Sequence, residues 1–286
     1  SPTWFRLNNN SGDFASIANA SYVARAHDLG IEVWALITDV DSVDQFGVEI
    51  DFVELLSSSA NRRHLIEGLM AQVDGYGLDG VNIDFEKVRS DSGIHFVQFL
   101  RELSIETRKR GVVLSVDNYV PSEYTAHYNR KEQGIVADYI IIMGYDEHYV
   151  GGGAAGSNAS IMFVEDGIAN TKEVVPAEKI INAIPFYTRV WESGPDGLKA
   201  STLTMNAQAD WVARAGMTPT WVEEYCQNYV EYQVGDTLYQ CWLEDMESIR
   251  VKLQVMKNQG IKGVASWKLG LETSAVWDVI ADYMTQ

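Results

Sequence analysis

The chain has 286 residues, 46% of them hydrophobic, and a formal net charge of −18. That is enough apolar content for one large core of the α/β-barrel size, and so acidic a surface repels nucleic acid and anionic membranes while tolerating a neutral polymer. No apolar run is long enough to span a membrane, and Ser1-Pro2-Thr3-Trp4 lacks the basic and apolar lead of a signal peptide.

Short β-branched runs alternate with longer amphipathic ones along the chain. Strands are expected at 3–7 (TWFRL), 31–38 (IEVWALIT), 79–85 (DGVNIDF), 112–117 (VVLSVD), 139–145 (YIIIMGY), 179–187 (KIINAIPFY) and 263–269 (GVASWKL). Helical patterns lie between them. One ends at Gly30, another leads into the third strand, and a third places Phe96, Phe99, Leu100 and Leu103 on one face before stopping at Gly111. Near-continuous apolar strands separated by helices indicate a parallel sheet covered by helices. An open doubly wound sheet and a (β/α)8 TIM barrel both fit that order. The barrel is favoured because polar residues recur at strand C-terminal ends: Glu86, Asp117-Asn118, Tyr145-Asp146, Tyr187 and Trp267. No G-x-G-x-x-G follows the first strand, so a dinucleotide site lacks its main signal.

Seven strands are read instead of eight, and the missing one is expected to be the first, upstream of Ser1, in a longer precursor. The reading is of a single catalytic barrel over 1–286, interrupted by a small loop-rich insertion over 189–245 with a β-hairpin around Gly235-Asp236. The glycine-rich stretch 150–160 is a flexible loop and not a P-loop, since no Gly-Lys-Ser/Thr follows it. Cys226 and Cys241 are too few for a disulfide scaffold, although they could close one small loop. No Cys/His cluster or H-E-x-x-H suggests zinc, so neither a metal nor another cofactor is expected. His148, beside Asp146 and Glu147, does not change that, because adjacent residues on one segment do not converge on an ion. His127 is a candidate for touching substrate. Trp4 and Trp34 are either cleft wall or, more ordinarily, core.

The stretch LDGVNIDFEKV, 78–88, carries the chemistry. On a strand, residues two apart share a face, so Asn82, Asp84 and Glu86 line one side while Val81, Ile83 and Phe85 line the other. Apolar residues suit the helix-packed layer, so the polar row points into the barrel and climbs to Glu86 at its rim. An acid there, with a second carboxylate two residues behind it, is a candidate general acid whose proton affinity is raised by like charge.

DGVNIDFE resembles the D-G-x-D-x-D-x-E signature of glycoside hydrolase family 18, the chitinase-like barrels. MGYDEH (143–148), IPFYTR (184–189) and ASWKLG (265–270) are similar to the family's sixth, seventh and last strands. Within the family, SPTWF, MGYDEHY, PFYTR and WKLG look most like the bacterial cell-wall and spore-cortex branch. The resemblance implies a retaining, substrate-assisted reaction at N-acetylglucosamine, with no second catalytic carboxylate. It makes Glu86 the acid, Asp84 the residue orienting the substrate's acetamido group, and Tyr145 a hydrogen-bond donor to that group. Trp267 becomes the apolar floor under the sugar. Asn82, Asn118, Met143, Asp146, Glu147, Tyr187 and Arg189 complete the expected substrate-binding set, with a structural ion pair as the alternative for Glu147 and Arg189. Asn82 departs from the family's usual aspartate; it cannot take a proton and is expected to donate a hydrogen bond to Asp84. The implied partner is a polysaccharide containing N-acetylglucosamine, met outside the cell or in the envelope by a monomer, with an upstream wall-binding module as a further expectation. Peptidoglycan is the expected substrate, chitin oligomers the alternative, and a non-catalytic lectin-like module the alternative of another class.

Overall fold

The computed structural model describes residues 1–285, so Gln286, the last residue of the expected domain, lies outside the described residues. Seven strands match the seven read above: β1 (Thr3–Leu7), β3 (Trp34–Thr38), β4 (Gly80–Asp84), β5 (Val113–Tyr119), β6 (Tyr139–Met143), β7 (Ile180–Pro185) and β13 (Gly263–Trp267). Between them come β2 (Phe14–Ser16), which the sequence does not announce, and β8 (Tyr187–Gly194), β9 (Gly197–Thr204), β10 (Thr220–Val222), β11 (Gln227–Val234) and β12 (Thr237–Trp242). The chain divides into two compact units, Ser1–Ile141 with Val174–Lys179, and Ile142–Glu173 with Ile180–Gln286.

In the first unit β1, β3, β4 and β5 run parallel, and β2 folds back antiparallel on β1. Helices cover the apolar face. Helix Ser59–Tyr76 starts where the Ser58 hydroxyl accepts from the N–H of Asn61, and it stops at Gly77. Helix Gly93–Arg110 buries Phe96, Phe99, Leu100 and Leu103, the face read from the sequence. Phe85 packs against Phe52, Phe96 and Phe99 with ring centroids 5.0–6.0 Å apart, so the odd-numbered side of β4 faces helices. Burying one such ring stabilises by roughly 2–3 kcal/mol, and it commits Asn82 and Asp84 to the opposite face. Trp4 and Trp34 are packed in this unit too: Trp4 lies edge-on to Tyr22, and Trp34 stacks on Tyr139.

In the second unit β7 and β13 pair in parallel. The segment between them is not loop-rich, as expected, but mostly ordered: β10-β11-β12-β8-β9 form an antiparallel sheet, and helix Met205–Ala215 follows β9. The physical reason is a small core of its own, Val190, Leu203, Val230, Cys241 and Leu243, with Trp211, Tyr232 and Tyr239 packed on it. Those residues alternate along their strands, a pattern hidden by the polar turns around them. The hairpin expected at Gly235-Asp236 is the two-residue turn joining β11 to β12, with Gly235 at a φ of 57° that favours glycine. Cys226 and Cys241 are free thiols. No described helix is long and apolar enough to cross a membrane.

One buried ion pair fastens this inserted sheet to helix Met246–Gln259. Lys252 donates to both carboxylate oxygens of Glu244 at 2.8 Å, and the side chains are 1% and 0% exposed. Gln227 of β11 and Ser248 also donate to that carboxylate, while Gln208 accepts from the Glu244 N–H and donates to its carbonyl. Burial still pushes the Glu244 carboxyl up to about 7. Removing Lys252 leaves the buried Glu244 charge with neutral donors but no counter-charge, so Lys252→Met should cost roughly 3 kcal/mol at pH 8. The measurement is thermal unfolding, with a fall in Tm of about 5 °C. The double variant Glu244→Leu/Lys252→Met should recover at least half of it, and equal losses in both variants would contradict the pairing.

Candidate active site

The row on β4 ends at a residue held from three sides. The Asp39 carboxylate, directly after β3, accepts from the backbone N–H of Glu86 at 2.7 Å and of Lys87 at 3.2 Å. The Tyr128 hydroxyl donates to the Phe85 and Glu86 carbonyls, each at 2.9 Å. The Tyr119 hydroxyl donates to Glu86 Oε2 at 2.7 Å. A glutamate just past a strand end would ordinarily sit on a mobile loop; here its N–H, carbonyl and carboxylate each have an assigned partner.

Below it, Asn82 and Asp84 are 1% and 6% exposed. The Asn82 amide donates to Asp117 Oδ1 at 3.0 Å and not to Asp84, which corrects the expectation. The reason is register: Asn82 sits opposite Ser115 on β5, which brings Asp117 within its reach. The Ser1 hydroxyl donates to Asn82 Oδ1. Asn118 is also corrected. Its side chain faces away from the row, is fully buried, and exchanges hydrogen bonds with Gln133 at 2.7 and 3.2 Å. One step of the strand period separates it from Asp117, which points the other way.

In the second unit the expected residues behave less uniformly. Asp146 has a left-handed backbone with φ 58°, which aspartate tolerates better than most side chains, and its Oδ1 accepts from Arg189 and from the Tyr187 hydroxyl. Tyr145 lies 6.3 Å from Tyr187, ring to ring. Met143 closes β6 and is buried. Trp267 ends β13, partly exposed, with the Lys268 ammonium 5.8 Å over its ring. Glu147 is corrected: both of its oxygens are taken by Ser160, one by the N–H and one by the hydroxyl, so it anchors the start of helix Ile161–Lys172 and does not offer a free carboxylate to a sugar. His127 is likewise occupied, its Nε2 against the Val88 carbonyl at 2.7 Å. His148 bonds the Ser157 carbonyl, and no metal cluster exists among the described residues.

Asp39, Tyr119 and Tyr128 are not singled out by the sequence reasoning. Two carry a signal that could have found them: Asp39 is the first residue after an apolar strand, and Tyr119 is two beyond Asp117 on the same face. Tyr128, in a 3-10 turn, carries none.

The electrostatics follow from burying carboxylates together. Desolvation, then Asp117, Glu86 and Asp39, push the Asp84 carboxyl well up, with the Thr38 hydroxyl opposing. Desolvation also raises Asp117, against the Asn82 hydrogen bond, and it raises Asp39 to about 6, against the N–H of Glu86. Tyr119 and Tyr128 are raised by the same burial and the same charges, so they act as donors. A carboxyl with a raised folded pKa keeps a proton that the unfolded chain has released, so stability falls as pH rises through that window. Thermal unfolding should therefore show Tm falling from pH 5 to pH 7, with a slope of up to about 1.4 kcal/mol per pH unit for each such proton. A Tm that climbs between pH 5 and 7 would contradict the cluster.

Residues 21–272 match the model for glycosyl hydrolases family 18. The chain is 28% identical over 271 residues to YdhD of Bacillus subtilis (strain 168), whose name places it among sporulation-specific glycosylases, covering 91% of this chain and 63% of that protein. It is 23% identical over 262 residues to the cortical fragment-lytic enzyme of Bacillus anthracis, covering 87% and 59%. The chain thus spans about three fifths of the length of these relatives. Among solved structures, a chitinase from Chromobacterium violaceum ATCC 12472 superposes with a TM-score of 0.88 at 21% identity, covering 99% of this chain and 90% of that one; the shared architecture is the (β/α)8 barrel. With the family match running through the acidic row and most of the sequence on either side, the chain belongs to glycosyl hydrolase family 18.

Proposed function

We propose that this chain is a retaining glycoside hydrolase that cleaves β-1,4 bonds after N-acetylglucosamine in peptidoglycan, using the substrate's own acetamido group as nucleophile. The observation that carries the reading is Glu86, held by Asp39, Tyr128 and Tyr119 above a buried carboxylate row. In the first step Glu86 gives its proton to the glycosidic oxygen while the acetamido oxygen attacks the anomeric carbon. The bond to the leaving sugar breaks, and a cyclic oxazolinium ion forms. Asp84 orients the acetamido N–H and faces the positive charge that develops there. Water then attacks the anomeric carbon as its bond to the acetamido oxygen breaks, and it passes a proton to Glu86, which restores the acid and the free acetamido group and retains configuration.

The family resemblance gives Tyr145, Trp267 and Asp146 the roles of acetamido donor, apolar floor and hydroxyl partner; within the second unit Asp146 is fixed by Arg189 and Tyr187. Peptidoglycan is preferred because the relatives named above include a cortical fragment-lytic enzyme. Action at the spore or cell envelope follows from that substrate. Cleavage of chitin oligomers is the competing reading. A lectin-like role is disfavoured by the supported acid, which sugar binding alone does not need.

Glu86→Gln should retain binding of N-acetylglucosamine oligomers within about threefold and lose turnover by roughly 10²–10⁴, the range for a positioned general acid. Purified peptidoglycan and chitin oligomers, digested in parallel and reduced with borohydride, identify the bond cut. Muropeptides ending in reduced N-acetylglucosamine are expected. Cleavage of chitin alone would replace the peptidoglycan assignment, and undiminished turnover by Glu86→Gln would remove the acid.

A further inference from the structure

The acidic row extends sideways as well as upward. Asn82 pairs with Ser115, and Ile83 with Val116, across β4 and β5. The ladder ends there; the next residue of each strand is Asp84 and Asp117, two beyond Asn82 and Ser115 and so on their face, and the Asp117 charge acts on Asp84. Both are desolvated, and among the described residues no lysine or arginine is ion-paired with Asp84 or Asp117, while the Lys87 charge partly offsets the burial of Asp39. Groups facing the pair come from several elements. Asp39 and Thr38 lie on the β3 side, Glu86 stands above, Tyr119 follows on β5, and the Ser1 amino group faces Asp117 from the β1 side. Asp117 accepts a hydrogen bond from the Asn82 amide, and the Ser115 hydroxyl opposite Asn82 is buried without a partner. Two adjacent carboxylates with so few donors do not both ionise at low cost.

We propose that Asp117 is a positioning residue for hydrolysis: the Asp84–Asp117 pair holds one proton and one negative charge, and Asn82 keeps the resting charge on Asp117. The inference rests on the hydrolytic reading above. At rest the Asn82 amide stabilises ionised Asp117, and Asp84 holds the proton. As positive charge develops on the acetamido group, the proton passes from Asp84 to Asp117, and the negative charge moves the other way to face the cation. When water opens the ring the proton returns. The net charge of the pair is unchanged throughout, so no charge enters or leaves the interior during the cycle. Asn82 fits this arrangement because it donates without competing for the proton.

The test is the pH dependence of kcat for three variants on a soluble N-acetylglucosamine oligomer or peptidoglycan fragment. Asp117→Asn removes the partner charge. It should lower kcat about tenfold or more with KM within about threefold, and move the profile to lower pH by about one unit, because losing a neighbouring negative charge makes the remaining protons easier to release. The exchanged variant Asn82→Asp/Asp117→Asn returns a carboxylate to the same hydrogen bond with donor and acceptor reversed. It should regain kcat within about threefold and recover the wild-type profile. A purely structural role for Asp117 would lower stability and leave the profile in place, so an Asp117→Asn profile superimposing on wild type overturns the proposal. If Asp117→Asn does not fold, judged by near-ultraviolet circular dichroism, the exchanged variant decides alone: a wild-type profile supports shared protonation and a shifted one overturns it. Glu86→Gln separates the two levels. If it keeps full turnover the hydrolytic reading fails, whereas a dead Glu86→Gln beside an unshifted Asp117→Asn removes only the role given to Asp117.

Discussion

The first unit is organised around one electrostatic constraint, the concentration of Asp39, Asp84, Glu86 and Asp117 at neighbouring strand ends. Desolvated carboxylates repel one another and lose their water, and only hydrogen-bond donors, protons or a cation offset that. The chain supplies donors: two backbone N–H groups to Asp39, a tyrosine hydroxyl to Glu86, an amide to Asp117. It leaves the remainder as raised proton affinity. A cluster made this way holds its protons to higher pH than separate, solvated carboxyls would.

That constraint reaches outward through the strand period. Phe85 anchors its side of β4 in an aromatic cluster under helix Gly93–Arg110. A slip of one residue would place Asp84 among Phe52, Phe96 and Phe99 and expel Phe85 into the polar interior, so the core enforces the direction of the acids. Tyr128 connects the two layers. It packs edge-on to Phe96 and Tyr119 while its hydroxyl holds the carbonyls of Phe85 and Glu86.

Much of this is legible in the residues alone. Periodicity locates seven of the strands and the buried face of helix Gly93–Arg110, and the alternation in DGVNIDFE assigns a face to every residue of β4. The parts that escape depend on pairing between segments distant in sequence. Whether Asn82 reaches Asp84 or Asp117 is decided by the register of β4 against β5, which no local pattern encodes. Asn118 escapes because a strand end counted without its period does not say which side a residue takes. Glu147 escapes because a helix start thirteen residues on claims its oxygens. The inserted sheet reads as loops since its small core is dispersed over short segments rich in turn residues.

The buried Glu244 carboxylate has a consequence for how the second unit can vary. It gathers Gln227, Ser248 and Lys252 about one point, and Gln208 grips its backbone. These residues come from the inserted strand β11, the helix Met205–Ala215 and the helix Met246–Gln259, so the base of the insertion opens together with the latter helix as one cooperative piece. The hairpin tip at Gly235-Asp236, beyond the far end of β11 and exposed, is outside that linkage. Descendants of this chain are therefore free to lengthen, shorten or redecorate the tip, while the root of the inserted sheet is inherited as a fixed part of the second unit.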